Sequence, residues 1–282
     1  MKRFKTLLQS LLPLLLAYGI QSVLAVYFVI LGVIISMIVY VGRGGHLDNM
    51  LLENIAFDPH FNGLLMISFS VACMLIFGVW YYSSCNGSFA PQLKRTFHPL
   101  KLLGLFLLVP GAQFLSTVLI YFMYTYAPAW IEQYQELMET AGMTDDASIT
   151  IIIYSVLCAP ISEELIFRGV TMNILKRRFP FWFANLFQAL LFGIFHGNIV
   201  QGIYAFVLGM FLGYVCEYGG SIWYSILFHF LFNLWGTSMD LFDGISDLTF
   251  FLISLGGMVF FLSLGMLLYH IGVHRKQTTH TA

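Results

Sequence analysis

Three charged side chains lie close together in an otherwise apolar stretch that runs from Thr150 to Val170. They are Glu163, Glu164 and Arg168. A charge near the centre of a bilayer costs about 2.5–3.5 kcal/mol on insertion scales, so such charges are paired and commonly functional. Residues four apart share one face of a helix, so Glu164 and Arg168 can pair, whereas Glu163 points about 100° away. Glu163 therefore needs a partner from another helix.

Two histidines and an asparagine interrupt later apolar runs. His196 closes the run Phe192–His196, and His229 and Asn233 lie four apart on one helical face. A lone histidine in a membrane usually bonds to a neighbouring backbone carbonyl. Two histidines and an amide in the same half of the chain as a glutamate pair instead indicate a functional site. Three helices would bring Glu163, His196 and the His229–Asn233 pair to one interior point.

These residue types suit the hydrolysis of an amide bond. A carboxylate and an imidazole can share a water molecule and remove its proton. An imidazole and an amide can donate hydrogen bonds to an oxyanion, at about 3 kcal/mol per donor in a water-poor pocket. The sequence has no G-x-S-x-G motif, and Cys158 has no adjacent base, so routes through a covalent nucleophile are less favoured. The zinc-protease motif H-E-x-x-H is also absent.

A metal ion is the alternative that this residue set leaves open. Glu163, His196 and His229 could hold Zn²⁺ or another divalent metal with a position left for water. The same residues would work equally well without an ion. Three other polar side chains in the membrane spans are expected to form hydrogen bonds between helices. They are Gln113, Asn185 and Gln188.

The composition excludes a soluble globular domain. Hydrophobic residues make up 59% of the 282 residues, charged residues only 10%, and the mean hydropathy is +0.82. We predict an all-α, polytopic membrane protein whose partners are the lipid bilayer and a peptide or membrane-protein substrate, with no nucleic acid. The four cysteines are scattered and are interpreted as packing residues.

Eight apolar runs are long enough to form about eight transmembrane helices in one bundle. They lie at about 11–41, 61–82, 100–126, 149–171, 181–196, 199–216, 222–240 and 249–271. We divide the chain into helices 1–3 with an outer amphipathic helix (1–147), a catalytic core (148–240), and the last helix with its tail (241–282). The first run is taken as one long helix, bent at Pro13, rather than as a hairpin.

Loop charges predict the orientation of this bundle. With eight spans, every loop or terminal cation except Arg43 falls on one side, which the positive-inside rule makes cytoplasmic. Both termini are then cytoplasmic, in a cell membrane that is expected to be bacterial. On the opposite side, residues 130–141 have helical amphipathic spacing, and Gly142 could end that helix. In the sixth span, the small-residue stripe Gly202, Ala205, Gly209 and Gly213 favours internal packing over dimerisation.

Taken in order, the motifs E-E-x-x-x-R, F-x-x-x-H and H-x-x-x-N resemble the signatures of the CPBP family. These are the CAAX protease and bacteriocin-processing enzymes, also called the Abi domain. The motifs lie at Glu163–Arg168, Phe192–His196 and His229–Asn233, and the resemblance covers about residues 148–240.

The resemblance implies an eight-helix intramembrane endopeptidase related to the type II CAAX prenyl endopeptidases. Glu163 and His196 would activate water, His229 and Asn233 would stabilise the oxyanion, and Glu164 and Arg168 would order the site. The family is often described as metalloproteases; a metal-free glutamate mechanism is slightly favoured here. The substrate would be a leader peptide, a pheromone precursor or a membrane-protein segment, with a link to bacteriocin processing or immunity.

Two other classes of function compete with the protease. Intramembrane carboxylates and histidines also occur on proton and ion pathways, so an ion-coupled transporter is one alternative, although no inverted repeat is visible. The other is a non-catalytic scaffold or regulator that binds a membrane partner. The oligomeric state and the cleavage site are left open by the sequence.

Overall fold

Every regular element that the structure describes is a helix, as predicted for an all-α protein. The computed structural model describes residues 1–42, 58–84, 98–143, 147–236 and 247–278. The helices are α1 Lys2–Gly42, α2 Pro59–Ser84, α3 Pro99–Tyr126, α4 Pro128–Thr140, α5 Ile149–Lys176, α6 Phe181–Phe195, α7 Ile199–Gly219, α8 Ile222–Gly236 and α9 Asp247–Thr278.

Apolar helices form at all eight predicted positions, but in the described ranges only six are long and apolar enough to cross a membrane. These six are α1, α2, α3, α5, α7 and α9. Helix α6 has 15 residues and is about 22 Å long, against about 30 Å of hydrocarbon. The predicted end of the seventh span, 237–240, lies outside the described residues. Helix α1 is a single helix with Pro13 inside it, which confirms the choice of one long helix over a hairpin.

Local sequence explains where α6 stops and α7 begins. Gly197 adopts φ 68°, a left-handed conformation that glycine accepts without steric cost. The next residue, Asn198, caps α7 by accepting hydrogen bonds from the backbone N–H groups of Val200 and Gln201. Helices α6 and α7 therefore form an antiparallel hairpin whose tip follows His196.

The interface between α6 and α7 depends on small residues and buried amides. A Cβ atom on Gly213 would collide with the Asn185 side chain, and one on Gly193 would lie 2.6 Å from the Gly202 carbonyl oxygen. The predicted internal role of the small-residue stripe is confirmed by this packing. Asn185 donates to the Met210 carbonyl at 3.0 Å, so its predicted helix-to-helix hydrogen bond is also confirmed.

Helix α5 lies at the centre of the molecule and is contacted by α1, α2, α6, α7 and α8. It contains two π-helical segments, Tyr154–Cys158 and Leu165–Met172, on either side of the α-helical turns Ala159–Glu164. Inserted π turns are frequent at functional sites because they change the direction in which side chains point. The glutamate pair therefore lies on the short regular segment between two widened ones.

Helix α4 packs across the start of α7. Ile131 is buried against Val200 and Met123, and the Tyr134 and Tyr204 hydroxyl groups are 3.5 Å apart. The chain then turns at Gly142, which has φ 70°. Both the amphipathic helix and its predicted end are confirmed.

Several of the cations predicted to share one side meet at one end of the bundle. Lys101, near the start of α3, donates to the Gly219 carbonyl at the end of α7 at 3.1 Å. Lys176, at the end of α5, forms an ion pair with Glu217. We call this end the basic end. Charged loop residues at 43–57, 94–95, 145–146 and 240–243 lie outside the described residues, as does Cys85; Cys73, Cys158 and Cys216 are free thiols.

Candidate active site

Four of the six candidate side chains are buried where α5 meets α8. The exposed fractions are 6% for Glu163, 0% for Glu164, 1% for Arg168 and 3% for His229. Unpaired charges at such depth would be very unfavourable, so their partners define the site.

The predicted ion pair between Glu164 and Arg168 is present. Arg168 Nη1 donates to Glu164 Oε1 at 2.7 Å. Its Nη2 donates to the Gly209 carbonyl oxygen on α7 at 3.1 Å, and the guanidinium carbon lies 4.6 Å from the centre of the Phe192 ring on α6. Arg168 thus connects α5 to both helices of the α6–α7 hairpin.

Gln188 supports the same connection from α6. Its Nε2 donates to the Gly209 carbonyl oxygen at 2.9 Å, so that oxygen accepts bonds from both Gln188 and Arg168. The predicted interhelical role of Gln188 is confirmed, and so is that of Gln113, which donates to the Phe232 carbonyl on α8. The link from Gln188 to Arg168 through one carbonyl was not predicted.

His229 contacts both glutamates. Its Nδ1 lies 3.0 Å from Glu164 Oε1, and its Nε2 lies 3.7 Å from Glu163 Oε2. A carboxylate only accepts hydrogen bonds, so Nδ1 carries a hydrogen and Nε2 faces Glu163. A separation of 3.7 Å is too long for a direct hydrogen bond, but one water molecule could lie about 2.8 Å from each atom. The separation is therefore compatible with a water molecule shared by the acid and the imidazole.

His196 lies at the end of α6 and is half-buried. Its Nδ1 donates to the Phe192 carbonyl oxygen at 2.8 Å, which leaves Nε2 with a lone pair in the neutral ring. The Phe192 ring packs edge-on against His196 at 4.9 Å and against His229 at 5.7 Å. Phe192 therefore joins the two imidazoles, whereas no hydrogen bond in the described structure joins His196 to Glu163.

Asn233 is turned toward the first π segment of α5. Its Nδ2 donates to the Ser155 carbonyl oxygen at 2.8 Å. That oxygen has lost its usual backbone donors, because the N–H of Ala159 bonds to the Tyr154 carbonyl and Pro160 has no N–H. Asn233 thus satisfies a carbonyl that the helix leaves without a partner, and its second amide hydrogen remains for another acceptor.

Replacing Asn233 with alanine is expected to lower the free energy of unfolding by about 1–3 kcal/mol, because the Ser155 carbonyl then lacks a donor. The loss should be smaller in a Pro160→Ala background, where residue 160 regains an N–H. The measurement is denaturant unfolding of the single and double variants in detergent. Equal losses in both backgrounds would contradict this account of the π segment.

The donor set does not fit a three-ligand metal centre in this arrangement. Among the described residues, no group of three or more His, Cys, Asp or Glu side chains is placed to hold a metal ion. The Nδ1 atoms of His229 and His196 are hydrogen-bonded to Glu164 and to the Phe192 carbonyl oxygen, which leaves both Nε2 atoms available to a ligand. A metal bound by Glu163, His196 and His229 would require these side chains to move closer together.

Comparison with known proteins identifies the segment that carries this geometry. Residues 145–235 match the family model for the Rce1-like type II CAAX prenyl endopeptidases. The matched segment contains all six candidate residues and extends from just before α5 to the end of α8. We call this matched segment the CPBP segment, after the family that its motifs resemble.

One curated relative of the CPBP segment is bacterial. It is the "Putative membrane peptidase YdiL" of Bacillus subtilis (strain 168), which is 30% identical over 90 residues. The alignment spans 32% of this chain and 37% of the relative. No solved structure matches the chain significantly.

Sequence reasoning named the six polar residues of the CPBP segment but not their contacts. It did not predict that His229 bonds to Glu164, or that Phe192 lies between the two imidazoles. It also missed the hydrogen bond from Asn233 to the Ser155 carbonyl oxygen. Pro160 inside a helix was a visible signal that a backbone carbonyl there lacks its usual donor.

Proposed function

We propose that the chain is an intramembrane endopeptidase that hydrolyses a peptide bond with an activated water molecule. The observation that carries this proposal is the contact of one buried imidazole with two buried glutamates inside the CPBP segment. His229 is held by Glu164, which Arg168 neutralises, and its Nε2 lies 3.7 Å from Glu163 Oε2.

In the proposed reaction, Glu163 accepts a proton from water while the water oxygen bonds to the carbonyl carbon of the substrate. The resulting oxyanion receives hydrogen bonds from the side chains of His229 and Asn233, and Asn233 uses its second amide hydrogen. Collapse of this intermediate breaks the C–N bond, and the proton held by Glu163 passes to the leaving amine. The Nε2 lone pair of His196 supplies a second acceptor for the water.

The contacts of Glu164 and Arg168 support a positioning role for this pair. Glu164 fixes the ring of His229, and Arg168 fixes Glu164 from the opposite direction. Their buried charges balance each other, so His229 is oriented without a net charge being added to the site.

The proposed substrate is a membrane-associated segment or a leader peptide, including one used in bacteriocin processing or immunity. The exposed apolar surfaces of the long helices and the depth of the site support delivery from the bilayer. We place the basic end and both termini on the cytoplasmic side of a bacterial cell membrane, in accordance with the distribution of loop cations. The bacterial relative supports that source.

The proposed mechanism needs no metal ion, because Glu163 itself takes the proton from water. Cleavage by the purified protein is expected to persist after dialysis against EDTA and 1,10-phenanthroline, with at most a twofold change in kcat. The measurement is product formation alongside metal analysis of the same sample. Activity that is lost on dialysis and restored by Zn²⁺ would overturn the metal-free mechanism while leaving the peptidase assignment in place.

The function is tested by comparing peptides released in membranes that contain the intact chain with those from the Glu163→Gln chain. Products that depend on Glu163 are expected to end at a common bond within or beside an apolar segment. Identical peptide sets, together with an unchanged cellular phenotype, would favour the scaffold instead. Ion flux in proteoliposomes that depends on Glu163 would favour the transporter.

A further inference from the structure

A polar cavity opens at the basic end of the bundle, and neither Glu163 nor His229 lines it. It is bounded by the ends of α2, α5 and α7 and by the start of α8, and its volume is about 520 Å³. This volume lies within the range of about 300–1,000 Å³ that is typical of small-ligand sites. The cavity is therefore large enough for an organic group rather than a single ion.

Basic side chains outnumber acidic ones in the cavity lining. Arg168, Lys176 and Arg177 line it, against one acidic residue, Glu217. Lys176 is paired with Glu217, and Arg168 is paired with Glu164. Arg177 is exposed and forms no ion pair with any residue that the structure describes. An anion entering the cavity would therefore meet an uncompensated positive charge at its mouth.

The most deeply buried charged residue that lines the cavity is Arg168. Arg168 is buried, and its Nε is without a hydrogen-bond partner in the described part of the chain. From Arg168 to Lys176 the helix rises by about 12 Å, so the cavity extends from the end of the bundle to the level of the buried guanidinium. Asn173 and Ser221 add polar groups to the wall between these levels.

The location of the cavity indicates the kind of anion that it meets. Helices α5 and α7 end and α8 begins at the basic end, where the polar headgroups of a bilayer lie beside the helix termini. Anionic headgroups attract lysine and arginine at such surfaces, by about 1 kcal/mol per side chain. Arginine suits phosphate in particular, because its planar donors match the phosphate oxygens.

We propose that this cavity binds a phosphate-bearing anion, supplied by the headgroup of an anionic lipid, with Arg177 and Lys176 contacting the phosphate. Inorganic phosphate shares this chemistry and is the alternative source. The inference concerns binding alone and does not depend on the proposed peptidase function. An experiment that contradicts one of the two proposals would therefore not contradict the other.

Native mass spectrometry of the full chain in a neutral detergent tests the site. The protein is titrated with dioleoylphosphatidylglycerol, with dioleoylphosphatidylcholine, and with inorganic phosphate as a competitor. One phosphatidylglycerol is expected to bind at least fivefold more tightly than phosphatidylcholine. Competition by millimolar phosphate would assign the site to a free anion, and an absence of competition would assign it to the lipid.

Two neighbouring arginines provide a matched pair of variants. Arg177 lines the cavity, whereas Arg178 is also exposed and does not line it. Arg177→Gln is expected to weaken phosphatidylglycerol binding about fivefold, which corresponds to about 1 kcal/mol at 1.4 kcal/mol per tenfold change. Arg178→Gln should change it less than twofold. Neither side chain is buried, so both variants should fold.

A third variant is expected to act in the opposite direction. Glu217→Gln removes the only acidic group that lines the cavity among the described residues and releases Lys176. Binding should become about fivefold tighter. Equal weakening by Arg177→Gln and Arg178→Gln, or equal binding of both lipids, would overturn the proposal in favour of general surface attraction.

Discussion

Replacing Glu163 with glutamine is expected to lower kcat by about 10²–10⁴-fold, the range associated with loss of a general base. Glutamine has nearly the same shape as glutamate but cannot accept the proton from water. The side chain is buried beside His229, so the substitution should leave substrate binding and KM nearly unchanged. The measurement is steady-state cleavage of the peptide identified from the membrane comparison, at saturating and at low substrate concentrations.

The control for this experiment is Glu136→Gln, which removes an exposed acid from α4 of the same protein. It should leave kcat within about twofold when measured in neutral detergent. If Glu163→Gln retains more than a tenth of the activity, Glu163 is not the base. If KM rises while kcat is unchanged, Glu163 contributes to binding instead.

Arg168→Met is expected to cause the largest loss of stability, about 3–5 kcal/mol. The substitution leaves the Glu164 carboxylate buried with no opposing cation and removes the bond to the Gly209 carbonyl. Activity should fall as well, because Glu164 then no longer holds His229 in one orientation. The measurements are reversible unfolding in detergent and the cleavage rate at a temperature where the variant remains folded.

The double variant Glu164→Leu with Arg168→Met separates stability from function. An apolar pair of similar size often replaces a buried ion pair without loss of stability. The double variant should therefore regain most of the free energy of unfolding that Arg168→Met loses, yet remain inactive because His229 lacks its acceptor. Full activity in the double variant would show that the pair does not position the imidazole.

Most of the fold could be predicted from the sequence, because apolar runs of known length place the helices. Helix α1 and the amphipathic α4 follow directly from hydropathy and spacing. The two π segments of α5 could not be predicted in this way, because their hydrogen-bond pattern depends on how neighbouring helices pack against them. The division of the chain at residues 147 and 240 stays a prediction.

The sequence predicts which residues form the site, but it does not predict which of their side chains are in contact. Spacing alone gives the Glu164–Arg168 pair, since both residues lie on one helix. The contact of His229 with Glu164 depends on the distance and rotation between α5 and α8, which no local pattern encodes. The catalytic roles of His196 and Asn233 likewise stay predictions, because each is bonded here to a backbone carbonyl.

The shortness of α6 has a consequence for the surrounding lipid. A helix about 8 Å shorter than the hydrocarbon layer is accommodated in part by local thinning of the bilayer, at a modest cost per ångström. His196 follows the last residue of this helix, where the bilayer would be thinned most. Headgroups and the solvent that accompanies them would then approach the imidazole from the leaflet opposite the basic end. Because each cleavage consumes one water molecule, the short length of α6 would help water to reach the site by thinning the bilayer there.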